Sequence, residues 1–330
     1  MPSRFYVKTA SRTTHLFRRN SFAHDTCPCH CPARPQRKEN TSHMHRILIT
    51  GTHSYTGQVL TQYLSRFPKD FSTSTISLRN SSWQSESFRG FDSVFHAAGI
   101  AHDSTRSADK DAYFRVNSQL ALDTALKAKH DGVHQFVFMS SSIVYGTSAP
   151  IGRTKLITRD TPVNPESYYG QSKVRAEELL DSLNDDDFRV CILRCPMIYG
   201  KGCKGNYRLL SKIAATLPVF PRVQNCRSML YAEHLAEFVR LIVQNHEHGI
   251  FWPQNAEYTN TSEMVKMIAE SHNRRIFLTG GCEFMLMGLA KVTGLVNKAF
   301  GSLAYDMTLS DYPQNYRLYT LRESIMLTER

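Results

Sequence analysis

Apolar positions along the chain fall into short unbroken runs and helical stripes that alternate from about residue 44 onward. A run over 46–50 ends in a glycine turn, after which Val59, Leu60, Tyr63 and Leu64 recur at helical spacing within 57–67. Residues 73–78 read as a second strand and 92–97 as a third, the latter carrying Val94 and Phe95. Leu120, Leu122, Ala125 and Leu126 mark a helix over 117–129, and 136–140 a buried strand. Ala176, Leu179 and Leu180 share one face of a helix over 172–183, before a strand at 189–194. Parallel strands need crossovers long enough to hold a helix, so this alternation predicts an α/β fold with a parallel, doubly wound sheet.

The regularity breaks after Tyr199. Residues 200–206 form a glycine- and lysine-rich loop, and Pro218, Pro221 and Pro253 punctuate the chain beyond it. The expected organisation is a first domain over 44–196, with a helix at 231–244 bringing 228–246 back to its sheet. A smaller C-terminal domain, acting as a lid, is expected from 197–227 and 247–330. No run of about 18 apolar residues is present, so stable membrane insertion is not expected. The longest candidate, 284–296, is interrupted by Lys291 and two glycines, and reads as a packed helix or a membrane-surface contact.

Composition is that of a soluble globular protein, with 41% hydrophobic and 21% charged residues. The formal charge of +11 is unevenly spread: residues 1–43 hold eight Lys and Arg against two acids, leaving a net +5 on the rest. That balance suits a diphosphate-bearing substrate as well as it suits a nucleic acid, and no nucleic-acid partner is expected. Residues 1–43 lack apolar periodicity and read as a disordered basic extension. Three origins are open for it: an added or misassigned stretch ahead of a natural start at Met44, an organellar transit peptide, or a functional tail. Its Cys27-Pro28-Cys29-His30-Cys31 cluster lacks a downstream partner pair, so no metal site is expected. The remaining five cysteines read as reduced thiols of a cytoplasmic enzyme.

Three short motifs carry candidate chemistry. In Ile47-Leu-Ile-Thr-Gly51-Thr-His-Ser54-Tyr-Thr-Gly57 a strand, a glycine turn and a helix start succeed one another in order. Such a turn brings backbone close to a pyrophosphate at the helix N-terminus, although an ordinary strand-to-helix turn has the same outline. Tyr169 and Lys173 are four apart and share a helix face. A tyrosine, with its ordinary pKa near 10, becomes a usable acid or base if the ammonium one turn away lowers it. With 15 Tyr in the chain, such a pair also arises by chance. Ser140-Ser141-Ser142 lies directly after a buried strand, where ligands bind in this architecture or where a hydroxyl caps a turn.

Together these motifs resemble the extended short-chain dehydrogenases/reductases, the group of NAD-dependent epimerases and dehydratases that includes UDP-galactose 4-epimerase. The resemblance runs from about Met44 to the C-terminus. It rests on the glycine turn, Val94-Phe-His-Ala-Ala-Gly99, Phe-Met-Ser-Ser141-Ser-Ile-Val-Tyr-Gly146, Pro165-Glu-Ser-Tyr-Tyr169-Gly-Gln-Ser-Lys173 and Leu193-Arg-Cys-Pro196-Met-Ile-Tyr-Gly200. It implies a Rossmann-type sheet with a C-terminal substrate-binding domain. Tyr169 would be the acid/base, Lys173 its tuner and ribose ligand, and Ser141 the hydrogen-bond partner of the reacting sugar oxygen, with Ser142 as the fallback. Gly51, Ser54, Tyr55, Thr56, Gly57, Ala97, Ala98, Gly99, Asn117 and Pro196 would meet NAD or NADP. Asn206 and Arg227 would hold the diphosphate of a nucleotide-sugar (UDP-sugar) substrate, a role suited to an Arg fork.

One departure bears on the cofactor. The second strand ends Ser77-Leu78-Arg79-Asn80, without the acid that would grip an adenine ribose, and Arg79 either neutralises a 2′-phosphate or lies in solvent. The expectation is a UDP-hexose 4-epimerase-like enzyme; a keto-sugar reductase using NADPH and a non-catalytic NAD(P)-binding regulator are the alternatives. A dehydratase fits less well, because Ser142 and Ile143 come after Ser141 in place of Asp-Glu. No feature fixes the oligomer, and a homodimer is compatible with the sequence.

Overall fold

The computed structural model describes residues 43–101, 110–281 and 299–330. The basic extension (except His43), its cysteine cluster, Cys282 and the apolar stretch 284–296 lie outside the described residues.

Six strands form one all-parallel sheet in the order β2-β1-β3-β4-β6-β10. They are β1 (His45–Thr50), β2 (Phe71–Ile76), β3 (Ser93–His96), β4 (Gln135–Ser141), β6 (Arg189–Cys195) and β10 (Gly249–Phe251), with β5 (Thr154–Ile157) and β7 (Met197–Tyr199) outside it. Both faces are covered, so the strands read as apolar runs and not as alternating ones. Ile47 and Ile49 of β1 face α1 (Tyr55–Leu64), while Leu48 between them packs with Phe136 and Phe138 on the other side. This is the predicted Rossmann-type sheet.

The helices start earlier than the stripes suggest. α2 (Lys110–Tyr113) runs through a π-helical stretch, Phe114–Gln119, into α3 (Leu120–His130). The polar Asn117 and Ser118, which resemble a helix start, are buried because they bond neighbouring elements: Ser118 Oγ donates to the Ser172 carbonyl at 2.7 Å. α4 (Tyr168–Asp181) begins at its cap Ser167, whose hydroxyl accepts the Gly170 N–H at 3.1 Å. Strand β2 sits two residues earlier than expected, because its register starts with buried Phe71 opposite His45.

A second group of elements lies outside the six-stranded sheet: α5 (Asn206–Thr216), β8 (Val219–Pro221), β9 (Met229–Tyr231), α7 (Thr261–Ser271), β11 (Phe277–Thr279), β12 (Ser302–Tyr305) and α8 (Leu321–Glu329). Its core gathers Tyr207, Leu210, Phe220, Met264, Ile268 and Ile325. Between β9 and β10, α6 (Ala232–Gln244) returns to the sheet and packs Leu235, Phe238 and Ile242 with Leu60 and Leu64 of α1. Strand β10 lies in the range assigned to the lid, yet it pairs with β6 through Ile250 opposite Ile192.

Candidate active site

The strand order reverses at β1, whose neighbours are β2 and β3, and an open α/β sheet binds ligands beyond the strand ends at such a point. A cleft of about 250 Å³ opens there. Its lining brings together Thr56, Ala97, Ala98, Gly99, Ser141, Tyr169, Lys173 and Pro196 from separate motifs.

The turn after β1 fits a dinucleotide phosphate. Gly51 has φ +85°, and a Cβ there would stand 3.2 Å from Ala98 Cα; one on Gly57 would come within 2.9 Å of Ile49 Cγ2. Ser54 does more than substitute for a glycine. Its hydroxyl accepts the Gly57 N–H at 3.3 Å as the N-cap of α1 and meets Thr56 Oγ1 at 3.1 Å. The first turn of α1 carries no acid, so its N-terminus favours an anion. Gly51→Ala forces a left-handed residue and crowds backbone, and is expected to weaken NAD(P) binding at least about tenfold. Isothermal titration of both proteins checks this; equal affinities would count against the turn.

Loop 97–101 forms the opposite wall. Asn117 pins it, accepting Ile100 N–H at 2.9 Å and donating to the Ile100 carbonyl at 3.0 Å and Ser172 Oγ at 3.1 Å. A Cβ on Gly99 would lie 3.0 Å from Asn117 Oδ1 and 3.7 Å from Lys173 Nζ, so only glycine leaves this cradle open. Asn117 thus supports the wall from beneath.

Ser141 ends β4. Its hydroxyl caps the next turn, accepting the Ile143 N–H at 3.3 Å, and also hydrogen-bonds the Tyr169 phenol. Burial pushes Tyr169 up to about 12, against a smaller opposing effect of the Ser141 bond. Helical spacing alone predicts that Lys173 lowers it; in the folded cleft desolvation prevails. Lys173 is buried, donates from Nζ to the Met139 carbonyl at 2.8 Å and lies 4.5 Å from the centre of the Phe138 ring. Burial lowers it to about 8, with the Glu177 carboxylate pulling the other way.

That shift has a consequence for stability. A lysine in the unfolded chain keeps its proton to about pH 10.4, whereas Lys173 releases it near 8 in the folded protein. Between those values the unfolded state binds more protons, so this group's contribution to stability rises with pH. Urea midpoints of wild type and Lys173→Met are expected to diverge in favour of wild type as pH climbs through that window. A constant difference would contradict the assignment.

Glu177, one turn beyond Lys173, anchors a buried network that sequence reasoning missed. Arg194 Nη2 reaches Glu177 Oε2 at 2.7 Å, and Arg194 Nε lies 3.2 and 3.1 Å from the two carboxylate oxygens. Ser140 Oγ also donates to this carboxylate. Arg194 Nη1 and Trp252 Nε1 both donate to the Tyr145 hydroxyl, at 2.8 and 2.7 Å. The available signal was a lone charge in the apolar strand Val-Cys-Ile-Leu-Arg194-Cys, since a buried cation needs a partner.

Other expected site residues lie apart from the cleft lining. Tyr55 packs against the cluster that holds Tyr207 and Met264, with its hydroxyl beside Gly200. Ser142 bonds Tyr305, Arg79 is exposed past the end of β2, and Asn206 is exposed at the start of α5. Arg227 donates from Nη1 to the Ala299 carbonyl at 3.2 Å. Cys195 lines the cleft, but burial raises its thiol and makes it a poor nucleophile. Cys191, Cys195, Cys203 and Cys226 are all free thiols. No helix among the described residues is long and apolar enough to cross a membrane.

Known proteins resemble this chain in sequence and in fold. A "UDP-glucose 4-epimerase" of Vibrio cholerae is 30% identical over 184 residues, 53% of this chain and 56% of its own length. The chain therefore spans little more than half of that relative. An "N-acetyl-alpha-D-glucosaminyl-diphospho-ditrans,octacis-undecaprenol 4-epimerase" of Escherichia coli O157:H7 is 25% identical over 238 residues, 70% of each chain. The structure of UDP-glucuronic acid 4-epimerase from Bacillus cereus in complex with NAD superposes with a TM-score of 0.64, covering 86% of this chain and 97% of that one at 15% identity, a likeness of fold. The model of the NAD dependent epimerase/dehydratase family matches residues 47–251, which include the glycine turn, Ser141, Tyr169 and Lys173. The chain belongs to that family.

Proposed function

We propose that this protein is an NAD(P)-dependent 4-epimerase of diphosphate-linked sugars, of the UDP-hexose type. The observation that carries the reading is the convergence of Ser141, Tyr169 and Lys173 on one cleft beside the glycine cradle. Residues 44–196 with 228–251 would form the cofactor domain, since β10 belongs to the sheet, and 197–227 with 252–330 the substrate domain. Bound NAD(P) would supply the redox chemistry and, when oxidised, a positive charge at the nicotinamide. Tyr169, whose proton burial holds tightly, exchanges that proton with a sugar hydroxyl. Ser141 orients the same oxygen, and Lys173 holds a positive charge one turn away. Asn206 and Arg227 would contact the diphosphate after the lid closes on substrate. The carrier beyond that diphosphate is a nucleotide in this proposal; the name of the E. coli relative gives a polyprenol as the other carrier to test.

A second reading, an NADPH-dependent keto-sugar reductase, is favoured by Arg79 where an acid would select NAD. The deciding experiment denatures the purified protein, identifies any released cofactor, and tracks UDP-glucose and UDP-galactose by proton NMR. Co-purified NAD with interconversion supports the epimerase. An empty protein that oxidises NADPH only with a 4-keto-sugar supports the reductase. Absence of both activities and of cofactor binding would sink the enzyme reading.

A further inference from the structure

The lid carries a surface that the site chemistry does not use. Residues 200–226 hold Lys201, Lys204, Arg208, Lys212 and Arg222 and no acid. That segment runs through α5 into β8, which pairs in parallel with β11 so that Val219 stands opposite Phe277. Cross-strand partners share a face. Here the inward face packs Phe220 and Leu278 on the lid core, while the outward face shows Val219, 44% exposed, and Phe277, 67% exposed. Leu217, just before β8, is 47% exposed. A ribbon that is apolar on both sides is unusual for a protein face turned to water.

Cations surround these side chains. Phe277 lines a recess of about 420 Å³ together with Arg222, Lys266 and Arg275. The one acid there, Glu270, is taken by Arg322 at 2.9 Å, and among the described residues none of the three cations forms a salt bridge. Apolar groups ringed by unpaired cations match the charge and depth profile of an anionic lipid headgroup layer. The 11 residues of α5 connect this ribbon to Asn206, about 16 Å away along the helix axis.

We propose that the outward face of the β8–β11 ribbon, with Val219 and Phe277 at its centre and Arg222, Lys266 and Arg275 around them, docks the protein peripherally on an anionic membrane surface. The aromatic ring enters the headgroup region while the cations meet lipid phosphates. This attachment is independent of the epimerase reading, and it needs no membrane-spanning segment.

Cosedimentation of the full chain with vesicles tests it, using phosphatidylcholine alone or mixed with phosphatidylglycerol. Binding is expected only to the anionic vesicles and is expected to fall as salt rises. Each basic side chain at such a surface contributes roughly fivefold in affinity, so Lys266→Glu with Arg275→Glu should weaken binding by more than about 20-fold. Phe277→Gln should weaken it further, with the thermal midpoint unchanged because the ring is exposed. Equal binding to neutral vesicles, no binding to either, or full binding by the triple variant (carried by the basic N-terminal residues) would overturn the proposal. So would a drop in midpoint or a change in oligomeric mass on Phe277→Gln alone, which would show that the chain itself or a second copy covers this face.

Discussion

Tyr169→Phe is expected to reduce turnover by about 10²- to 10⁴-fold while leaving NAD(P) binding nearly intact. In the proposed mechanism the phenol is the proton-exchanging group of the cleft, and it is the hydrogen-bond partner of Ser141. Removing its oxygen takes away both, but leaves the ring, the glycine turn and the Asn117 clamp in place. Fluorescence titration of the dinucleotide, set beside NMR turnover, separates the two effects. A variant that turns over at the wild-type rate would remove Tyr169 from the mechanism, and one that loses the cofactor as well would make its role structural.

Glu177→Ala is expected to cost about 3–5 kcal/mol of stability, because it strands the Arg194 guanidinium in a buried site and leaves Ser140 without its acceptor. In a domain of this size that corresponds to a fall in Tm on the order of 10 °C. Replacing Glu177 and Arg194 together by apolar residues should recover part of the loss, since the desolvated charge goes with its partner. Differential scanning calorimetry of the three proteins decides it. If the single variant melts with wild type, the pair contributes nothing and the network is only a packing arrangement.

The sheet was legible because its strands are covered on both faces, which leaves runs such as Ile47–Ile49 and Phe136–Phe138 in the sequence. The cleft was legible because each motif joins a strand end to a helix start, so topology brings Gly51, Ser141 and Tyr169 to one edge. The lid was not. Strands β7, β8, β9, β10 and β11 are three residues each, too short for periodicity, and exist through their partners. Polar positions also misled: Asn117 and Ser118 look like surface until Ile100 and Ser172 bond them. Glu177 reads as one more solvated charge on α4, because its partner lies 17 residues on. Spacing brings Tyr169 and Lys173 to one cleft but carries no information on desolvation, which raises the phenol.

The return of β10 to the sheet, after α5, β8 and β9 have formed outside it, means that the polypeptide leaves the sheet and is stitched back into it. The elements outside the sheet are not a contiguous cassette. A chimera that borrowed a relative's lid would need several splice points, each in register with the sheet. Melting should proceed as one cooperative event, and new sugar preferences should be easier to reach by changing loop residues than by exchanging modules.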